Sequence, residues 1–285
     1  MLNRVILASC RRDIEINRLS VPAILECVDA KRYLLVVPAA DVAAFRKELP
    51  SGVEVLDERS VLPDCDIARI AGSLGSEFAS RAGWYLQQFL KIELASGSAQ
   101  QEMALIWDAD SVPLRPLAFE DSMGRIGLYT GVEFHRPYFD TIERILGLGR
   151  TVSGSFIAQC MCVRPTWISG MKDTIEFRCG RSWIDAILEN LAQQHQSAFS
   201  EYETIGTYVT NAHSNEVFLN DRPWFRWGGG YFGDIRNVTA SGLKQLSRYY
   251  DFVAFERWDR GFKSWCRSRI QIAKTRAEML RTAAH

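Results

Sequence analysis

Apolar and polar positions along the first 110 residues alternate between the periods of strands and of helices. Arg4–Ser9 (RVILAS) is a short apolar run and predicts a buried strand. In Ile14–Val28, the residues Ile16, Leu19, Ile24 and Val28 recur at helical intervals, with Pro22 expected to kink or divide the helix. Tyr33–Val37 (YLLVV) predicts a second strand stopped by Pro38, Asp41–Leu49 a short helix, and Val53–Leu56 a third strand. Ser76–Ala95 carries the strongest helical pattern, and Ala104–Trp107 is the strand after it. Strands separated by helices of this length imply right-handed crossovers and a largely parallel sheet, so the predicted class is α/β. Such sheets collect ligands at the carboxyl ends of their strands, where Arg11, Asp13, Asp108 and Asp110 fall.

The second half is less regular. Arg125–Tyr129 predicts a strand, and Ser155–Val163 (SFIAQCMCV) a strand buried on both faces and ended by Arg164-Pro165. Thr166–Gln194 holds helical patterns, notably Trp183, Ile187, Leu188 and Leu191. Phe218–Phe232 gathers aromatics and Gly228-Gly229-Gly230 into a loop or hairpin, and Phe252–Phe255 is a last short strand. The expected plan is one α/β domain whose front half binds a nucleotide and whose back half shapes a second pocket.

Composition narrows the picture. The 285 residues are 47% hydrophobic, enough to bury a sizeable core. A formal net charge of zero argues against a protein that coats nucleic acid, so no nucleic-acid partner is expected. The seven cysteines are scattered, and the close pair Cys160 and Cys162 is a C-x-C inside an apolar run, not a zinc-type C-x2-C. Reduced thiols of a cytoplasmic protein are expected. Met1–Cys10 is interrupted by Arg4 and closed by Arg11, Arg12 and Asp13, too short for a signal-peptide core or a spanning helix.

The chemistry starts at Ala104–Val112 (ALIWDADSV), where an apolar run ends in two carboxylates one residue apart, followed by Pro113 and Pro116. Asp108 and Asp110 at the end of a buried strand suit a hard divalent cation, magnesium or manganese, held over a phosphate; two solvated loop acids are the bland alternative. In the long helix Trp84, Gln88 and Lys91 share one stripe beside an apolar face. They could hold phosphate or sugar hydroxyls, or be the wet side of an amphipathic helix. Ser200-Glu201-Tyr202-Glu203-Thr204 is a second acidic cluster. Glu201 and Glu203 face the same way if it is extended and diverge by about 200° if it is helical. A glutamate there could take a proton from an attacking hydroxyl. His213 is a candidate third metal ligand, with a solvated loop histidine as its alternative, and His135 has no nameable partner. Trp224-Phe225-Arg226-Trp227 and the three glycines read as a sugar-stacking, phosphate-approach loop or as a core hairpin. From Arg260 to Arg281 seven basic residues and one acid, Glu278, interleave with Phe262, Trp265, Ile270, Ala273 and Leu280. That pattern reads as a docked terminal helix, or as peripheral membrane contact through 260–281.

Four segments together, Gly83–Ile92 (GWYLQQFLKI), Ile106–Asp110 (IWDAD), Ser155–Ala158 (SFIA) and Phe199–Thr204 (FSEYET), carry a family resemblance. The chain resembles the nucleotide-diphospho-sugar glycosyltransferases of the GT-A fold over most of Arg4–Val209. More narrowly, it is similar to a bacterial family of unknown function treated as polysaccharide glycosyltransferases. Where relatives of that family carry histidine this chain has Gln159, so no metal or acid–base role is carried over to that position.

The resemblance implies a single GT-A-like, Rossmann-type domain over 1–255 and a basic helical tail over 256–285. Residues 1–115 would form the nucleotide-binding half and 116–255 the acceptor-side half. Asp108 and Asp110 would bind the donor ribose and a Mn2+ or Mg2+ ion bridging the diphosphate. Ser9, Arg11 and Asp13 would line the base and ribose pocket, and Gln88 and Lys91 would face the donor. Glu201 or Glu203 would be the base of an inverting reaction. The implied activity is metal-dependent transfer from a nucleotide-sugar, a UDP-sugar first, to a glycan or lipid-linked polysaccharide precursor. It would take place in the cytoplasm or at the inner face of the membrane. Two rivals stand beside it. One is a haloacid-dehalogenase-type phosphatase, whose D-x-D-x-[TV] signature is met by Asp108, Asp110 and Val112 with Asp108 as nucleophile. The other is a catalytically inactive carbohydrate- or partner-binding domain of the same fold.

Overall fold

In the computed structural model, which describes residues 2–99, 102–192 and 195–282, the chain forms an α/β structure around a mostly parallel central sheet. Gln193 and Gln194, at the end of the expected helical stretch, residues 283–285 of the expected tail, and the side chain of Leu280 lie outside the described residues. The front half contains β1 (Leu2–Ala8), α1 (Ile14–Cys27), β2 (Ala30–Val37), α2 (Val42–Glu48) and β3 (Glu54–Asp57). Then come α3 (Glu58–Val61), α4 (Ile67–Phe78), α5 (Ala82–Ala95), β4 (Ala104–Trp107) and β5 (Ser111–Pro113). The back half contains β6 (Ile126–Tyr129), α6 (Arg136–Leu146), β7 (Cys160–Val163), α7 (Pro165–Cys179) and α8 (Trp183–Asn190). It continues with α9 (Glu201–Ala212), β8 (Val217–Asn220), α10 (Gly228–Phe232), α11 (Ala240–Leu246), β9 (Phe252–Ala254) and α12 (Gly261–Thr282).

The five-stranded sheet runs β3-β2-β1-β4-β7. The pairs β3–β2, β2–β1 and β1–β4 are parallel, as the crossover argument requires, while β7 joins β4 antiparallel, with Trp107 opposite Cys160. Every residue of β4 is buried, which explains its unbroken apolar run. Two small sheets, β5–β9 antiparallel and β6–β8 parallel, extend the carboxyl end of β4 into the back half. Among the described residues no helix is long and apolar enough to cross a membrane.

Several expectations need correction. The helix drawn over Ser76–Ala95 is two helices, α4 and α5, joined by a tight turn at Ala79–Arg81, and α4 is itself broken at Gly75, whose φ is 74°. α1 runs undivided through Pro22, held by its buried face of Ile16, Val21 and Ile24. The strand expected over Ser155–Val163 is regular only from Cys160, because Ser155 turns its hydroxyl onto Glu203 and Gln159 takes a positive φ. Ser200–Val209 is helical, begun by the Ser200 side chain, which accepts from the Glu203 amide. The stretch Phe218–Phe232 is not a hairpin: a loop over 221–227, which carries Trp224–Trp227, joins the end of β8 to α10, and the three glycines belong to α10. A Cβ on Gly228, Gly229 or Gly230 would lie 2.5, 2.1 or 2.4 Å from the carbonyl oxygens of Ala254, Asp259 and Ser264. Those glycines therefore seat the backbone before and at the start of α12.

Candidate active site

A cavity of about 560 Å³ opens at the carboxyl edge of β1 and β4, where a parallel sheet leaves strand ends and helix starts uncovered. The turn Asp108–Ser111 forms its floor and is tied on all sides. The Asp108 amide donates to the Gln159 carbonyl at 2.8 Å, the Phe255 amide to the Asp110 carbonyl at 3.0 Å, and the Trp107 indole to the Ser111 carbonyl at 2.8 Å. Asn17 and Ser20 of α1 both donate to the carbonyl of Ala109, at 2.8 and 2.6 Å. The backbone between the two aspartates is thus braced from α1, from the segment before β7 and from the end of β9.

α5 supplies the second wall. Tyr85, Phe89 and Ile92 pack into the core, while Trp84, Gln88 and Lys91, one stripe round, line the cavity. Gln88 and Lys91 are only 1% and 3% exposed, so they are not the wet side of an amphipathic helix. The Lys91 ammonium bonds Asp108 Oδ1 and, at 2.8 Å, Glu201 Oε1. Burial pulls its pKa down, but the two carboxylates more than offset this and hold it above the usual lysine value. The Tyr202 hydroxyl donates to the same Asp108 oxygen at 2.9 Å, and the Glu201 amide donates to Gln88 Oε1 at 2.9 Å. Asp108, Lys91, Glu201, Tyr202 and Gln88 are therefore one hydrogen-bonded unit drawn from β4, α5 and α9.

Asp110 is different. It lines the cavity, and among the described residues no side chain or amide bonds its carboxylate. Burial pushes it up to about 8, with the Asp108 and Glu256 carboxylates adding to the rise. Glu256 is likewise pushed up to about 7 by burial, against the pull of Arg226, whose guanidinium lies 2.7 Å from it. Gln159 Nε2 also reaches Glu256, at 3.4 Å. With φ of 64°, Gln159 is the one non-glycine among the described residues in the left-handed region, a conformation that costs about 1 kcal/mol. It is held there by the bond between its carbonyl and Asp108.

Of the residues singled out from sequence, Ser9, Asp13, Gln88, Lys91, Asp108, Asp110 and Glu201 line this one cavity. Three do not. Arg11 is exposed, and its amide donates to Asp41. Glu203 is turned by the helical geometry of α9 to the opposite side from Glu201, onto the Ser155 hydroxyl at 2.5 Å. His213 sits at the far end of α9, stacked on Trp167 at 5.1 Å and bonded to Glu216 at 2.9 Å. It does not line the cavity with Asp108 and Asp110. Among the described residues no three His, Cys, Asp or Glu side chains converge as a metal-holding group. The donor set fits a cation that takes two or three protein oxygens and keeps its other positions for water and phosphate. Asp110 and the Asp108 oxygen not used by Lys91 supply them, with Glu256 close enough to raise Asp110.

Sequence reasoning did not pick out Glu256, Trp258, Glu133 or Tyr138, and it singled out Arg226 only within an aromatic loop. Glu256 had a usable signal, since it is the acid just beyond the strand expected over Phe252–Phe255, and strand ends are where ligands gather. Arg226 pairs with Glu133, more than 90 residues before it, and with Glu256, about 30 after it, encounters with no local trace.

The model of the family of unknown function DUF6492 matches residues 14–222. No curated protein matches the chain. Among solved structures it is similar to the galactosyltransferase LgtC in complex with donor and acceptor sugar analogues, at 11% identity over 92% of this chain and 91% of that one, with a TM-score of 0.47. It is also similar to the apo form of mouse xyloside xylosyltransferase 1, at 11% identity over 92% of this chain and all of the other, with a TM-score of 0.44. A third similar structure is the bifunctional WbbM, at 10% identity over 91% of this chain and 46% of that one, with a TM-score of 0.44.

Proposed function

The chain belongs to the family of unknown function DUF6492, and on that premise we propose that it is a metal-dependent glycosyltransferase using a nucleoside-diphosphate sugar. The observation that carries the reading is Asp110. It is a carboxylate with no hydrogen-bond or ion-pair partner among the described residues, on a braced turn at the sheet's carboxyl edge, beside a cavity large enough for a nucleotide-sugar. Burial first, and then the neighbouring carboxylates of Asp108 and Glu256 among others, raise its pKa, so a divalent cation is the species that would best satisfy it.

In this reading Asp110 and the free oxygen of Asp108 hold Mn2+ or Mg2+. The bound ion supplies neutralisation of the diphosphate. Every other role falls to side chains. Ser9 and Asp13, past the end of β1, line the end of the cavity that would take base and ribose. Lys91 fixes the direction of Asp108, and Gln88 fixes the start of α9. Trp84, Tyr138 and Trp258 give apolar faces against which sugar rings can pack. Among the carboxylates that line the cavity, Glu201 is committed to Lys91. Glu256 is paired too, with Arg226, but burial leaves it pushed up to about 7, so it is the one we assign to take the proton of an attacking acceptor hydroxyl. This proton step requires no change in the Lys91 unit. The acceptor class is a glycan or a lipid-linked saccharide.

The test is hydrolysis and transfer across UDP-, GDP-, CDP- and dTDP-sugars with manganese. One donor class should be consumed, the reaction should stop with chelator, and Asp110→Asn should lower turnover by about a hundredfold or more. Silence across the panel overturns the reading. Covalent phosphate trapped on Asp108 would identify a phosphatase in its place.

A further inference from the structure

The terminal helix α12 presents its faces in the reverse of the usual order. Its fully buried residues are small and polar, Ser264, Ser268 and Thr275, and the helix start rests on the glycine backbone of α10. Ile272 adds a large apolar contact, half-buried against the cluster around Phe225 and Tyr250. Its large apolar residues point outward, with Phe262, Trp265 and Ile270 at 76, 45 and 54% exposed. On a helical projection Phe262, Ile270, Ala273 and Ala277 fall within an arc of about 80°, opposite the buried serines and threonine. Exposed cations flank that arc on both sides, Lys263, Lys274 and Arg281 on one and Arg269 and Arg276 on the other. The helix is nonetheless anchored to the protein. Arg267, Arg269 and Arg276 lay their guanidinium groups over Trp227, Tyr231 and Tyr249 at 5.0, 5.2 and 5.1 Å.

We propose that this outward face of α12 seats on an anionic lipid surface. An apolar stripe edged on one side by Lys263, Lys274 and Arg281, and on the other by Arg269 and Arg276, whose guanidinium groups rest on tyrosine faces and stay exposed, matches acyl chains below and anionic headgroups beside it. A second copy of the chain fits less well, because a two-fold contact through this stripe would set each row of cations against cations. A bare polyanion would leave Phe262, Trp265 and Ile270 in water. The position of the helix also has a consequence. Arg257 and Trp258, a few residues before α12, line the cavity, so the lipid-facing helix and the cavity wall are joined by a short connection.

Flotation of the full chain with vesicles tests this. Vesicles of phosphatidylcholine with about one third phosphatidylglycerol should carry at least about tenfold more protein than phosphatidylcholine alone, and about 1 M salt should release it. Phe262→Ser, Trp265→Ser and Ile270→Ser combined should lower binding about tenfold, as should Lys263→Glu with Lys274→Glu. These positions are exposed, so the melting temperature and nucleotide-sugar binding of the variants should match the parent. No flotation with anionic vesicles, equal flotation with neutral ones, or undiminished binding of the triple variant would each overturn the proposal. So would a dimer in solution that the triple variant abolishes, since the face would then be a contact between copies.

Discussion

Lys91 and Asp110 show how burial fixes the chemistry of single residues. The Lys91 side chain is 4% exposed between two carboxylates. Replacing it with methionine would leave Asp108 and Glu201 facing each other without their cation, and should cost about 3–5 kcal/mol in urea unfolding. Glu201→Gln should cost less, because Lys91 keeps Asp108. A Lys91→Met loss below about 1 kcal/mol would mean that the unit does not hold together as described. For Asp110 the sign of the pH effect is set by the direction of its shift. Its carboxyl is raised from 3.8 to about 8 on folding, so the folded state binds that proton more tightly than the unfolded chain. Stability from this source is full at low pH and is lost as pH rises from about 4 through about 8. Between about pH 6 and about pH 9, metal-free protein should therefore lose more melting temperature than Asp110→Asn. Equal losses would assign the titration to another group.

At the scale of elements, α9 decides which glutamate reaches the cavity. Its Ser200 cap sets the first turn, and its close packing sets its depth: a Cβ on Gly206 would lie 2.2 Å from the Phe156 ring. Ser200→Ala should destabilise by about 1 kcal/mol. Gly206→Ala should cost more, about 2–3 kcal/mol, because Phe156 is fully buried and has no room to withdraw. It should also lower activity, since lifting α9 off the Ser155–Ala158 segment moves Glu201 and Tyr202 together. Chemical denaturation and a donor-hydrolysis rate on the same two variants check the order. Gly206→Ala equal to Ser200→Ala in both would contradict the packing argument.

At the scale of the molecule, the cavity joins the strand ends of the central sheet to segments far along the chain. The distant segments are themselves braced at Asp251, which is fully buried and bound by Tyr129, Arg115 and Arg222. A ligand that fills the cavity bridges these parts and should stabilise the whole by mass action. UDP with Mn2+ at about a hundredfold excess over Kd should add about 2.7 kcal/mol, seen as a rise in melting temperature that chelator abolishes. A rise with UDP that chelator leaves intact would remove the metal from the reading.

The pattern of the chain alone carried the parallel strands, because a strand buried on both faces must be continuously apolar and a crossover helix must repeat near every fourth residue. The Asp108–Asp110 turn was legible for the same reason: two acids directly after a fully apolar strand must leave the core, and the strand's end is where they do so. The antiparallel docking of β7, the helical form of Ser200–Val209 and the inverted face of α12 were left to tertiary structure. Each is settled by what packs against it, Trp107 against Cys160, Phe156 against Gly206, Ser264 against Gly230. The same holds for the different surroundings of Glu201, Glu203 and Glu256. Carboxylates are alike in sequence, and their burial and neighbours, contributed by residues tens to more than a hundred positions away, give each its own partners and its own hold on a proton.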